Sequence, residues 1–169
     1  IEGDIYTDFS NTGKRKSVNK ILTPISPSVI LCIGLNYTLH AKETGHALPK
    51  YPVVFMKNLG AAAGHLDDIR IPISCATTPE VDYEVELAVV IKKHAKNVAP
   101  ENALEYVLGY TCANDISARR WQMHAGGGQW IKGKSFDTFC PFGPWIVTPD
   151  EIKEPDNLDI ECVLNGNTM

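Results

Sequence analysis

The stretch from Val81 to Lys92, Val-Asp-Tyr-Glu-Val-Glu-Leu-Ala-Val-Val-Ile-Lys, constrains the fold more than any other part of the chain. It is the longest strand candidate. Residues two apart on a strand share a face, so Glu84 and Glu86 point the same way, about 7 Å apart along the backbone. A solvated strand face is the simplest setting for such a pair, but that face should stay polar. It continues instead as Ala88 and Val90. Both faces are apolar beyond Glu86, the pattern of a strand running into a core. Two neighbouring carboxylates at the mouth of a core repel each other and are costly to desolvate unless a cation neutralises them.

The rest of the composition fits such a core. Of the 169 residues 44% are apolar and 21% charged, which excludes a disordered tail, a collagen-like repeat and a coiled coil. No apolar run approaches the roughly 18 residues of a membrane span. A net charge of −4 argues against nucleic acid or an anionic lipid surface as partner. The five cysteines Cys32, Cys75, Cys112, Cys140 and Cys162 form no C-x-x-C pair and read as reduced core residues of an intracellular protein.

Residues 1–28 form a polar lead-in, a solvated hairpin or linker with a basic run at Lys14, Arg15 and Lys16. From residue 29 to 169 the pattern is that of one domain. Val29–Gly34 reads as a buried strand, His40 to His46 as a short helix, Val53–Lys57 as a second strand and Ile69–Pro72 as an edge strand. Asn102 to Val107 reads as helical, and Val107 to Asn114 as a strand. Ser117 is placed as the N-cap of a helix from Ala118 to His124. Many short strands with few short helices and no βαβ rhythm indicate an α+β, mainly β, fold. Leu158 to Leu164 alternates as a strand, and Asn165-Gly166 is a strong hairpin turn. Only Asn167, Thr168 and Met169 remain for the return arm, so the natural chain is expected to continue. Residue 1 is Ile, so any leader peptide lies outside this sequence.

Gly128 to Ser135 fits the phosphate-loop pattern G-x-x-x-x-G-K-[ST] letter for letter. A phosphate loop needs a buried strand before it and a helix after it. Here a Gly-rich loop precedes, and Phe136-Asp137-Thr138-Phe139-Cys140-Pro141 is a poor helix start, so the match is rejected. The carboxylates are the better lead. Asp115, where the strand ending at Asn114 gives way, completes an all-oxygen set with Glu84 and Glu86, suited to Mg²⁺, Mn²⁺ or Ca²⁺. No Cys/His spacing suggests zinc. His40 and Glu43 are neighbours on a helical turn, where a carboxylate fixes the imidazole tautomer and raises its basicity. Lys57 and Lys134 sit beside apolar strand residues, placed for a substrate carboxylate or a developing enolate. Arg119 and Gln122 lie one turn apart after Asp115.

Taken in order, these pieces resemble the fumarylacetoacetate hydrolase family. The matching segments are Ile33-Gly34-Leu35-Asn36-Tyr37 with His40 and Glu43, then Val53 to Lys57, Val81 to Val90, Asn114 to Arg119 and Lys132 to Pro141. The likeness covers residues 29–169 and looks closest to the domain-containing-protein-2 branch, whose members carry the same D-T-F-C-P run. The resemblance implies a layered β-sheet roll, classed α+β, and a divalent cation on Glu84, Glu86 and Asp115. It implies an acid/base dyad of His40 and Glu43, and Lys134 contacting substrate or enolate. Gln122 would help position the substrate, with Lys57, Arg119 and Thr138 as further substrate contacts. The implied substrate is a small 2-oxo or dicarboxylic acid, and the expected activity is carbon–carbon hydrolysis of acylpyruvate-type compounds. Oxaloacetate tautomerisation or decarboxylation at the same site is the alternative, and an inactive metal-binding member a third. A homodimer in the cytoplasm or mitochondrial matrix is expected. Leu35 stands where many members carry a substrate-gripping Arg. The family's C-terminal G-D-x-I-x-T-G-T-P-x-G segment is not found in the sequence.

Overall fold

The computed structural model describes residues 2–43, 45 and 47–169, with Phe9 through its backbone alone. The lead-in opens as an antiparallel hairpin of β1 (Glu2–Asp4) and β2 (Asp8–Ser10). A second hairpin pairs β3 (Ile30–Gly34) with β4 (Val53–Lys57), and α1 (Thr38–Glu43) lies in its connection. The helix expected from His40 to His46 therefore starts two residues earlier. Thr44 and His46, within that expected helix, lie outside the described residues.

The chain continues through β5 (Ala62–Ala63), α2 (Ile73–Ala76), β6 (Val81–Asp82) and β7 (Val85–Ile91). A 3₁₀ turn at Pro100–Tyr106 leads into β8 (Val107–Asn114) and β9 (Ser117–Ala118). A π-helical turn (Trp121–Ala125), α3 (Ile131–Lys134), β10 (Cys140–Val147) and the hairpin of β11 (Val163–Leu164) and β12 (Asn167–Thr168) follow. Strands dominate and the helices are short, an α+β fold. Four strands form the largest sheet, in the order β5-β10-β8-β7, with β5 parallel to β10 and the others antiparallel. Among the described residues no helix is long and apolar enough to cross a membrane.

One break in this order builds the site. The long strand read from Val81 to Lys92 is two strands: β6 pairs with β9, and β7 pairs with β8. Tyr83 and Glu84 leave the ladder at the level where Asp115 and Ile116 leave it opposite. The break is still hydrogen-bonded. The Asp115 N–H donates to the Glu84 carbonyl at 2.8 Å, and the Glu84 N–H to the Asn114 side-chain oxygen at 3.1 Å. Behind the break lies the core of Ala61, Cys75, Ile116, Ala118, Phe139, Cys140 and Phe142.

Several sequence expectations need correction. The far end of β7 is covered on one face only: Val90 is buried, whereas Val89 and Ile91 are exposed. β3 is likewise half-covered, turning Ile30 and Cys32 inward while Leu31 remains 60% exposed. Ile69–Pro72 forms no strand. The Arg70 N–H goes instead to the Thr138 hydroxyl at 2.8 Å, and Pro72 starts α2. Ser117 caps no helix but belongs to β9, and the helix expected from Ala118 begins one residue later, helical at Arg119 and Arg120 and continuing as a π-helical turn over Trp121–Ala125. The strand expected from Leu158 pairs only at Val163 and Leu164, opposite Thr168 and Asn167. Its Asn165-Gly166 turn has both residues at positive φ, 52° and 82°, as a two-residue hairpin requires. Cys75 and Cys140 are buried, but Cys112 is exposed; all five cysteines are free. No strand precedes Gly128–Ser135, only the π-helical turn, which agrees with rejecting the phosphate loop.

α3 reaches the break because Gly133 lets it. A Cβ there would meet the Gln122 backbone nitrogen at 2.5 Å and the Ala118 carbonyl at 2.8 Å. Gly133→Ala must push α3 outward and should lower stability by about 1–3 kcal/mol, the usual cost of overpacking. Equilibrium urea unfolding measures this, and an unchanged midpoint would refute the close-packing account.

Candidate functional site

Lys57 ends β4 with its side chain fully withdrawn from solvent, and its ammonium pairs with Asp115. The same ammonium donates to the Ile116 carbonyl at 3.0 Å. Lys134, the last residue of α3, is equally enclosed. It donates to Glu84 Oε2 at 2.6 Å and to Asp115 Oδ2 at 2.9 Å. Asp115 thus has an ammonium on each oxygen. Ser117 donates its hydroxyl to Glu84 Oε1 at 3.2 Å and the Asp115 carbonyl at 2.9 Å. Arg119 closes the arrangement from outside. Its Nε and Nη2 bond Asp82 Oδ2 at 3.0 and 2.7 Å, and its Nη1 reaches Glu84 Oε1 at 2.5 Å and Gln122 Oε1 at 3.0 Å.

The two glutamates of the pair differ in environment. Burial favours the neutral form of Glu84, but the charge and hydrogen bond of Lys134 and the Arg119 guanidinium outweigh it, holding the carboxyl below its ordinary range. Glu86 takes part in none of the ion pairs among the described residues. Burial pushes its carboxyl up to about 7, against a hydrogen bond from Tyr37 and with the help of the nearby Glu84 and Asp115 charges. Beside the lysine pair lie two thiols, Cys32 and Cys140, which burial raises to about 12 and about 11. Both stay neutral and leave the charge to the carboxylates and lysines.

The structure brings together Lys57, Glu84, Glu86, Asp115, Arg119, Gln122 and Lys134, all singled out from sequence. It does not draw in the remaining three. His40 and Glu43 occupy exposed positions of α1. Thr138, at φ 67°, spends its hydroxyl on the Arg70 amide. Three contributors escaped the sequence reading. In sequence Ser117 suits a helix cap, and neither Asp82 beside the glutamates nor Tyr37 carries a signal of its own.

Among the described residues no three carboxylate, imidazole or thiol side chains close around a common point. The Lys134 ammonium stands between Glu84 and Asp115 instead. The donor chemistry nevertheless suits a hard divalent cation, since all three side chains offer oxygen and Glu86 brings a carboxylate that forms no ion pair among the described residues.

Fold and site together define a strand-rich α+β protein with a buried carboxylate–lysine cluster where two paired strands break. The chain belongs to the fumarylacetoacetate hydrolase family, matching its C-terminal domain, described as "Fumarylacetoacetate (FAA) hydrolase C-terminal", over residues 29–169. It is 50% identical over 158 residues to the fumarylacetoacetate hydrolase domain-containing protein 2 homolog of Dictyostelium discoideum, covering 89% of this chain and 51% of that protein. It is 49% identical over 150 residues to the mitochondrial oxaloacetate tautomerase of Xenopus laevis, covering 88% of this chain and 46% of that enzyme. The crystal structure of Cg1458 with inhibitor superposes with a TM-score of 0.84 at 38% identity, over 100% of this chain and 63% of that one. The chain spans about half the length of the curated relatives it matches.

Two expectations follow from this geometry. Lys57→Met strips Asp115 of one of its two buried partners and should destabilise the fold by about 3 kcal/mol, at the low end for a broken buried pair because Lys134 remains. A thermal melt that hardly moves would contradict it. Glu86 carries the opposite sign from an ordinary ion-paired acid. Its folded-state value lies above the unfolded one, so its contribution is present below about pH 4.5 and is lost as pH rises through about 7. Metal-free protein should therefore lose stability between pH 5 and pH 8 relative to Glu86→Gln, compared by urea unfolding at each pH. Parallel curves for the two proteins would count against the raised value.

Proposed function

We propose that this chain carries the site of a divalent-metal-dependent enzyme that acts on 2-oxo acids by enolisation, with keto–enol exchange of oxaloacetate as its reaction. The observation that supports this most is the enclosed Lys134 ammonium beside the three carboxylates, a fixed positive charge where an enolate oxygen would develop. The relationship to an oxaloacetate tautomerase supports the choice of substrate.

Glu84, Glu86 and Asp115 would hold the metal, Mg²⁺ in the first instance with Mn²⁺ or Ca²⁺ as substitutes. It would supply Lewis-acid polarisation of the oxo group. The remaining roles belong to side chains. Lys57 and its Ile116 carbonyl contact keep Asp115 in place. Arg119, its guanidinium bonded to Asp82, Glu84 and Gln122, holds Glu84 in place. Lys134 stabilises the negative charge that forms on the 2-oxygen as a proton leaves C3. His40, with Glu43 one turn on, would take that proton, and a proton from solvent on the 2-oxygen would complete the enol. Lys57, Arg119, Gln122 and Thr138 remain proposals as direct substrate contacts.

The exposure of His40 favours a second reading. A histidine open to solvent can activate water, and the same enolate site would then cleave an acylpyruvate. The mitochondrial relative supports the matrix over the cytoplasm as the setting, and the family resemblance a homodimer.

The test follows decay of the oxaloacetate enol by ultraviolet absorbance with Mg²⁺ and with a chelator, alongside acylpyruvate cleavage. Enol conversion should need the metal, and Lys134→Met should cut kcat by about 10²–10³-fold. His40→Ala should cost about 10²–10⁴-fold, the usual worth of a general base. Conversion that ignores both chelator and Lys134→Met would overturn the enolisation reading. Tautomerisation surviving His40→Ala while acylpyruvate cleavage is lost would assign His40 to hydrolysis.

A further inference from the structure

α3 is a single helical turn, closed by the Lys134 N–H on the Trp130 carbonyl at 3.1 Å. A helix this short is not stable on its own, so contacts from outside fix where its last side chain lies. Gly133 seats the turn against Ala118 and Gln122. Its start is held through Trp130. The indole lies against the backbone of Gly34, the last residue of β3, where a Cβ would meet Trp130 Cζ3 at 2.8 Å. The same indole meets the Phe55 ring edge to face, with centroids 5.4 Å apart and planes at 66°. Phe55 and Lys57 are two apart on β4 and share a face. The Lys134 ammonium stands over the Phe55 ring, 5.2 Å from its centroid. For an ammonium withdrawn from water, such a contact is worth more than it is in solvent.

We propose that Trp130 is a positioning residue for Lys134: packed on Gly34 and Phe55, its indole fixes both the start of α3 and the ring that the Lys134 ammonium stands over. The proposal rests on the enolate role given to Lys134 above. An ammonium has three N–H bonds, and two of these go to Glu84 and Asp115. The third is left for the enolate oxygen, and where it can reach depends on the turn that carries the side chain and on the ring beside it. A misplacement of about 1 Å in such a group can cost about 10²-fold in rate.

Trp130→Leu removes the indole and should lower kcat for oxaloacetate enol conversion by about 10–100-fold, with KM little changed. Gly34→Ala reaches the same contact from the other side. Its methyl displaces the indole while β3 keeps its extended backbone, and kcat should fall in the same direction. Trp130→Phe, which keeps an aromatic ring for Phe55, should recover most of the loss. The decisive comparison is a double-mutant cycle with Lys134→Met. Once the ammonium is gone, either substitution should change kcat by less than about 2-fold, because both act through Lys134. Equal losses in both backgrounds would show a merely structural role and overturn the proposal. Wild-type kcat in Gly34→Ala would overturn it as well, even where Trp130→Leu fails to fold. Wild-type kcat in Lys134→Met would sink the enolate reading and this role together. An impaired Lys134→Met beside a fully active Trp130→Leu would sink the role of Trp130 alone.

Discussion

Asp115 lies between two lysine ammonium groups that have themselves been withdrawn from water, and the geometry of the site depends on this arrangement. Desolvating each ion costs several kcal/mol, and only close pairing with further hydrogen bonds offsets it. The structure meets that requirement from three directions: Lys57 from the end of β4, Lys134 from the end of α3, and Asp115 from the step between β8 and β9. The Ile116 carbonyl and the Ser117 hydroxyl take up bonding capacity that would otherwise be stranded. Such a cluster cannot fit inside a regular ladder. The two strands leave their pairing at the same level, and the backbone there bonds across the gap instead.

Much of this was legible in the sequence, for identifiable reasons. Glu84 and Glu86 stood out because strand periodicity set them on one face and apolar residues followed. Lys57 and Lys134 stood out because each interrupts an apolar context. What periodicity could not show is that the lysines would sit among the carboxylates as internal counterions, since that depends on contacts 58 and 50 residues apart in sequence. β10, which lies between β5 and β8, was hidden by Pro141, Gly143 and Pro144, residues that speak against a central strand. A register irregularity between Gly143 and Val147 accommodates them. Ser117 misled because a serine before a polar helical-looking run suits an N-cap as well as a strand. The i, i+3 spacing of His40 and Glu43 did predict a helix, but spacing carries no information about which way that helix faces.

Glu84 and Glu86 show how one strand can present two different acids. They are separated by a single residue, yet one is held ionised by a lysine and an arginine while burial drives the other toward neutrality near pH 7. Environments that push paired carboxyls apart are a common mark of sites built for chemistry. Here the asymmetry is topological. Glu84 lies in the strand break, within reach of α3 and of Arg119 after β9, whereas Glu86 lies on the ladder beyond it, opposite Ala113.

The full enclosure of the Lys57 ammonium bears on how the chain can reach this fold. Its partner is 58 residues away, so no local segment can bury that charge with its counterion in place. A partly assembled state that seated β4 before the β8–β9 step arrived would enclose an uncompensated charge, at a cost of about 3–5 kcal/mol. Closing long loops before any reward is collected is also the slow part of folding strand-rich proteins. The ion cluster therefore acts as an assembly checkpoint: β4, β8 and α3 dock together or not at all, and a chain with any of them misplaced is left open and hydrated rather than trapped in a compact wrong form.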